Sequence, residues 1–138
     1  MGEAALANVN AAGKILVIED NRDSRDILSK LLRMSGYDVI SASDGERGFT
    51  EAVRSQPDLI ITDVNMPRMD GIEFVRKVRA EKTLAKTPVL VVTAFGSSVA
   101  REALDAGADA SAEKPFDFDK FLLTVQKLIS QNRNAVAD

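Results

Sequence analysis

Five polar residues stand where they could do chemistry together: Glu19, Asp20, Asp63, Thr93 and Lys114. Four of them follow or close an apolar run, in KILVI-ED, LIIT-D and VLVV-T, and Lys114 follows the weaker segment ASAE. Carboxylates gathered at one point repel, and burial adds to the cost of their charge. A hard divalent cation relieves both, and Mg²⁺ prefers oxygen ligands in an octahedral shell. Two carboxylates, a backbone carbonyl and several waters would suit it. The cation would also let a carboxylate nucleophile approach a phosphoryl dianion. Lys114 would add a second positive charge on a flexible stem. The Thr93 hydroxyl could donate one hydrogen bond to a phosphoryl oxygen. Taken singly, each has a plainer reading: Asp20 and Asp63 as turn or helix caps, Glu19 and Lys114 as surface charges, Thr93 as a strand end.

The case for a joint site depends on the elements that carry these residues. Lys14–Ile18, Tyr37–Ala42, Leu59–Asp63 and Pro88–Thr93 are short, rich in β-branched residues and largely without alternation. That pattern predicts strands buried on both faces. Between them, apolar residues recur at helical spacing: Ile27, Leu28, Leu31 and Leu32; Phe49, Ala52 and Val53; Phe74, Val75 and Val78; Val99, Ala103 and Leu104. Phe118, Phe121, Leu122, Val125, Leu128 and Ile129 give the clearest stripe. Ala110–Ala112 is a poor strand by propensity and is assigned by its place in the alternation. Five βα units result, and they predict a doubly wound α/β domain with a parallel sheet covered on both faces. Right-handed crossovers bring all the strand C-termini to one side, where such sheets bind ligands. If the first and third strands are neighbours, Asp20 and Asp63 meet there.

Composition narrows the chemistry. The 138 residues contain no Cys and no His, which excludes thiolate and histidine nucleophiles, disulfides and His/Cys metal sites. A cysteine-free chain fits a reducing compartment, so the expectation is cytoplasmic. The net charge of −3 offers no global basic field for nucleic acid. No apolar run approaches the roughly 20 residues of a membrane span. The expected organisation is a flexible leader over 1–13, one domain over 14–131 and a flexible tail over 132–138. Gly45, Gly48, Gly71, Gly96 and Gly107 form neither GxGxxG nor GxxxxGK[ST] and read as turn and cap residues.

These residues closely resemble the receiver domain of bacterial two-component response regulators. The resemblance runs from about Lys14 to Gln131. It is carried by ILVIEDN at Ile15–Asn21, DLIITDVNMPRMDG at Asp58–Gly71, VLVVTA at Val89–Ala94 and AGADASAEKPF at Ala106–Phe116. It implies a flavodoxin-like sheet in strand order 2-1-3-4-5. It also implies that Asp63 is the phosphoacceptor and that Glu19 and Asp20 are the acidic pair around Mg²⁺. The Asn65 carbonyl would be the third protein ligand, with Lys114 pairing first with the acceptor and then with the phosphoryl group. Thr93 would be the switch hydroxyl, and Pro115 would follow a cis peptide bond. The implied donor is a phosphohistidine on a sensor histidine kinase or a histidine phosphotransfer protein. The output would be protein contact at the fourth helix, fifth strand and fifth helix, without nucleic acid or membrane. Such a chain is a switch with self-catalysed phosphoryl entry and loss, not a turnover enzyme. It would stand alone, although a receiver cut from a larger regulator and a phosphorylation-independent adaptor are the alternatives.

One position departs from the family pattern. Three residues before the lysine, where the family usually has an aromatic ring, this chain has Ser111. Three readings stay open: signalling by backbone and fourth-helix shifts, a face permanently able to accept a partner, or phosphorylation with little conformational response. Phe95, two residues beyond Thr93, could shield an acyl phosphate or be a plain loop aromatic. A Mg²⁺-dependent phosphatase is a further class, but its usual second Asp, two residues after the nucleophile, is here Asn65.

Overall fold

A computed structural model describes residues 12–66, 69–94, 98–114 and 117–137. Five strands, β1 (Lys14–Ile18), β2 (Asp38–Ala42), β3 (Leu59–Asp63), β4 (Val89–Thr93) and β5 (Ala110–Glu113), alternate with five helices. The helices are α1 (Arg22–Met34), α2 (Gly45–Ser55), α3 (Gly71–Ala80), α4 (Val99–Asp105) and α5 (Phe118–Ala137). All strand pairings are parallel, in the order β2-β1-β3-β4-β5. This is the flavodoxin-like doubly wound sheet. Helix α5 continues to Ala137, past the Gln131 boundary read from the sequence. Residues 1–11 of the expected leader lie outside the described residues.

The absence of alternation in β1, β3 and β4 reflects two cores. Leu16, Ile18, Ile60 and Val91 point to one face and pack with Phe74, Val75 and Val78 of α3 and Ala52 of α2. Ile15, Val17, Ile61 and Leu90 point to the other and meet Leu32 of α1 and Phe121 and Val125 of α5. Successive strand residues face opposite sides, so a strand covered twice must be apolar throughout. Fully burying each Leu, Ile, Val or Phe is worth about 1.5–3 kcal/mol, and this drives the layers together.

Local signals set the helix starts beside the strand ends. The Asn21 side chain accepts from Ser24 N at 2.9 Å and caps α1. Asp44 accepts from Arg47 N, and Asp70 from Glu73 N, each at 2.8 Å. Each satisfies a backbone N–H that the helix cannot, worth about 0.5–2 kcal/mol. Helix α1 closes at Gly36, whose φ of +100° suits glycine. Helix α2 closes with Gln56 in the left-handed region, at φ 50°.

The apolar stripes are not all interior. Ile27 is 61% exposed, although it shares a helical stripe with Leu28, Leu31 and Leu32. The helix turns Leu32 to the sheet and leaves Ile27 at the rim. Leu104 of α4 is likewise exposed.

Candidate functional site

Strand register brings the sequence-distant acids together. In the β1–β3 ladder Ile18 is opposite Thr62, so Glu19 and Asp63 are the next residues on adjacent strands. Glu19, Asp20 and Asp63 each place one carboxylate oxygen within 4.8 Å of the others. Glu19 is buried, Asp20 exposed and Asp63 half-buried. Backbone bonds hold the loops that carry them. Glu19 N donates to Ala42 O at 3.1 Å, and the Arg25 guanidinium donates to Glu19 O at 2.9 Å.

Lys114 enters from β5. Its backbone N–H donates to Thr93 O at 2.8 Å, which ties the lysine to the end of β4. Its Nζ donates to Glu19 Oε1 at 2.9 Å and to Asp63 Oδ2 at 3.1 Å. Burial works against the Lys114 charge, but the hydrogen bonds to Glu19 and Asp63 outweigh it and raise its pKa above the ordinary value. Burial likewise pushes the Glu19 carboxyl up; the Lys114 bond opposes this and the Asp63 charge reinforces it.

The other Asp63 oxygen, Oδ1, accepts from Asn65 N at 3.0 Å. Asn65 is exposed two residues beyond β3, on the same loop. Thr93 is 2% exposed at the end of β4, where Asp63 pairs with Val92. Thr62 Oγ1 donates to Asp63 O at 3.0 Å and stiffens the backbone there. A cleft of about 550 Å³ opens beside Asp63 and Lys114, with Val17, Ile61 and Val92 on the sheet side and Ile27 and Leu31 on the α1 side.

Glu19, Asp20, Asp63, Asn65, Thr93 and Lys114, the six candidate acceptor, switch and metal-site residues of the sequence, are therefore at the C-terminal side of the sheet. What the sequence did not reveal is that Glu19 is the nearer partner of Lys114. Its position next to Asp20 suggested a role beside a cation, and only the ladder register shows the amine between Glu19 and Asp63. Ser111 is exposed on β5, opposite Val91. Pro115, with its expected cis bond, and Phe95 lie outside the described residues.

Could these groups hold a divalent cation? Three carboxylates offer hard oxygen donors within a span that one octahedral shell and its waters can bridge. The nearest cation among the described residues, Lys114, already bonds two of the acids, but Asp20 makes no bond to it. The donor set fits Mg²⁺ or a similar ion.

The fold is a flavodoxin-like α/β sheet with an acidic cluster and a lysine at the C-terminal side of its strands, and comparison with known proteins shows its family. Residues 15–126 match the response regulator receiver domain. The chain belongs to that family. It is 39% identical over 117 residues to the DNA-binding dual master transcriptional regulator RpaA of Synechocystis, covering 84% of this chain and 48% of RpaA. The chain spans about half the length of the curated relatives it matches. Among solved structures, the chemotaxis response regulator CheY4 of Vibrio cholerae superposes with a TM-score of 0.77 at 35% identity, over 83% of this chain and 97% of CheY4. The receiver domain of sensor histidine kinase PA1611 from Pseudomonas aeruginosa, which holds a magnesium ion in its active site cleft, gives 0.80 at 30% identity, over 86% and 98% of the two chains. No helix among the described residues is long and apolar enough to cross a membrane.

Proposed function

We propose that this receiver domain accepts a phosphoryl group on Asp63 from a phosphohistidine of a sensor kinase or histidine phosphotransfer protein. The observation that carries the reading is the convergence of Glu19, Asp20 and Asp63 within 4.8 Å, with Lys114 bonded to two of them. An Asp63 carboxylate oxygen attacks phosphorus in line. The P–N bond breaks as the P–O bond forms, and the imidazole nitrogen leaves with the bonding pair. Lys114, already 3.1 Å from Asp63 Oδ2, stays beside the equatorial phosphoryl oxygens and offsets their charge. The Thr93 hydroxyl turns toward one of them. Mg²⁺ would be held by Glu19, Asp20, Asp63 and the Asn65 carbonyl, and when bound it supplies the positive charge that lets two anions meet. Water later cleaves the acyl phosphate, so the domain is a timed switch and not a turnover enzyme. The magnesium in the active site cleft of the PA1611 receiver supports a Mg²⁺ site here by likeness.

The output would be protein contact across α4, β5 and α5. A second reading has support of its own: the matched relatives are about twice as long, so the chain is also consistent with the receiver part of a larger regulator. Incubation with Mg²⁺ and acetyl phosphate tests the phosphoacceptor reading. Intact mass should rise by one phosphoryl group, and Asp63→Asn should remove the gain while keeping the fold. An unchanged mass for the native chain would reject the reading.

A further inference from the structure

Gly71, the first residue of α3, lies closer to the candidate acceptor than any side chain could. Its N–H donates to Val64 O at 2.8 Å. A Cβ built on it would be 2.6 Å from Asp63 O and 2.7 Å from Val64 Cα, both backbone atoms. Its φ lies outside the left-handed region, so the demand for glycine here is one of space alone. Helix α3 cannot back away to make room. Phe74 and Val75 behind Gly71 are fully buried, and Asp70 fixes the first turn through Glu73 N. What must yield to a side chain at 71 is the backbone of Asp63 and Val64, and with it the start of the loop that leads to Asn65.

We propose that Gly71 is a positioning residue: by letting α3 rest directly on the backbone of Asp63 and Val64, it sets where the Asp63 carboxylate and the Asn65 carbonyl point. The inference rests on the reading of Asp63 as acceptor beside Mg²⁺. A helix start pressed on the loop leaves the loop few alternatives, so the oxygen donors are arranged before the ion arrives. Groups that orient metal ligands without touching the metal are commonly worth about 10–100-fold in affinity.

The test is a Mg²⁺ titration of the native chain and Gly71→Ala, followed by the backbone amide shifts of Glu19 and Asn65. A second arm measures phosphoryl uptake from acetyl phosphate at saturating Mg²⁺. Gly71→Ala should raise the half-saturating Mg²⁺ concentration about tenfold or more and slow uptake at saturation. Gly107→Ala is the control for stability loss alone. Gly107 has φ +119° and its added Cβ would strike the Arg79 side chain at 2.9 Å, away from the site; this variant should lose stability with the Mg²⁺ midpoint unchanged. If Gly71→Ala does not fold, Asp70→Ala frees the helix start without adding atoms and should raise the midpoint about twofold or more. A folded Gly71→Ala, or failing that Asp70→Ala, with the native midpoint would overturn the inference and leave the acceptor reading standing. A native chain that neither binds Mg²⁺ nor takes up phosphate would reject the acceptor reading itself.

Discussion

Lys114 donates to Glu19 at 2.9 Å, a shorter bond than the 3.1 Å one it makes to Asp63. The amine is thus shared between a buried acid on β1 and the candidate acceptor on β3. When a phosphoryl group arrives on Asp63, the lysine can follow the new oxygens while Glu19 keeps it near. Lys114→Ala should remove a preorganised cation and slow phosphoryl uptake from acetyl phosphate by about 100-fold or more. Stopped mass-spectrometric time courses measure this, and an unchanged rate would remove Lys114 from the mechanism.

The burial of Glu19 and the acids around Lys114 give the metal-free protein a pH dependence. The Glu19 carboxyl is held above its ordinary value of 4.5 in the fold, first by burial. The native state therefore binds this proton more tightly than the unfolded chain. Its contribution to stability is complete below pH 4.5 and is lost as pH rises through the raised native value. Lys114, also raised, contributes below its ordinary 10.5 and loses that contribution at higher pH. Urea unfolding in EDTA should show stability falling as pH rises above 4.5 in a component absent from Glu19→Gln. A component of equal size in the variant would contradict this assignment.

Arg79 offers a contrast at the opposite end of the sheet. Its guanidinium donates to Gly107 O at 3.0 Å, to Thr87 O at 2.7 Å and to Asp109 Oδ2 at 2.8 Å, and that same oxygen accepts from Val89 N. One side chain thus joins α3, the start of β4 and the turn before β5. Arg79→Ala should cost about 1–3 kcal/mol in chemical denaturation, with phosphoryl uptake at the native rate. A stable variant with slow uptake would show that this clamp communicates with the site.

In the proposed switch, Thr93 would separate acceptance of phosphate from response to it. Its hydroxyl is buried at the end of β4, and Lys114 N bonds its carbonyl. Thr93→Ala should still take up a phosphoryl group but confine the change in amide shifts to the surroundings of Asp63. In the native chain the changes should reach β5, even though Ser111 brings no ring to move. Equal spread in both proteins would remove the hydroxyl from the relay.

Much of the fold was legible because a doubly covered parallel strand leaves a strong mark. Ile15–Ile18, Leu59–Ile61 and Val89–Val92 are apolar at every position because both sides are packed. β5 was weaker for a physical reason: it is an edge strand whose Ser111 and Glu113 are exposed, so its composition is free to be small and polar. The acids of the site could be found because each ends an apolar run. Two further features could not. Glu19 looks like any charge after a strand until register sets it beside Asp63. Gly45, Gly48 and Gly71 look like turn residues, yet each marks a close approach, such as Gly48 inside α2, where a Cβ would fall 2.3 Å from Ile18 Cδ1. Distances between elements are properties of packing, and a single sequence does not print them.

In the proposed reaction one particular carboxylate, that of Asp63, receives the phosphoryl group. Acyl phosphates are reduced by borohydride, which marks the acceptor aspartate permanently. Peptide mapping after treatment with acetyl phosphate, Mg²⁺ and borohydride should find the reduced side chain at Asp63. Reduction at Asp20 or another acid, with Asp63 intact, would rule out Asp63 as the acceptor.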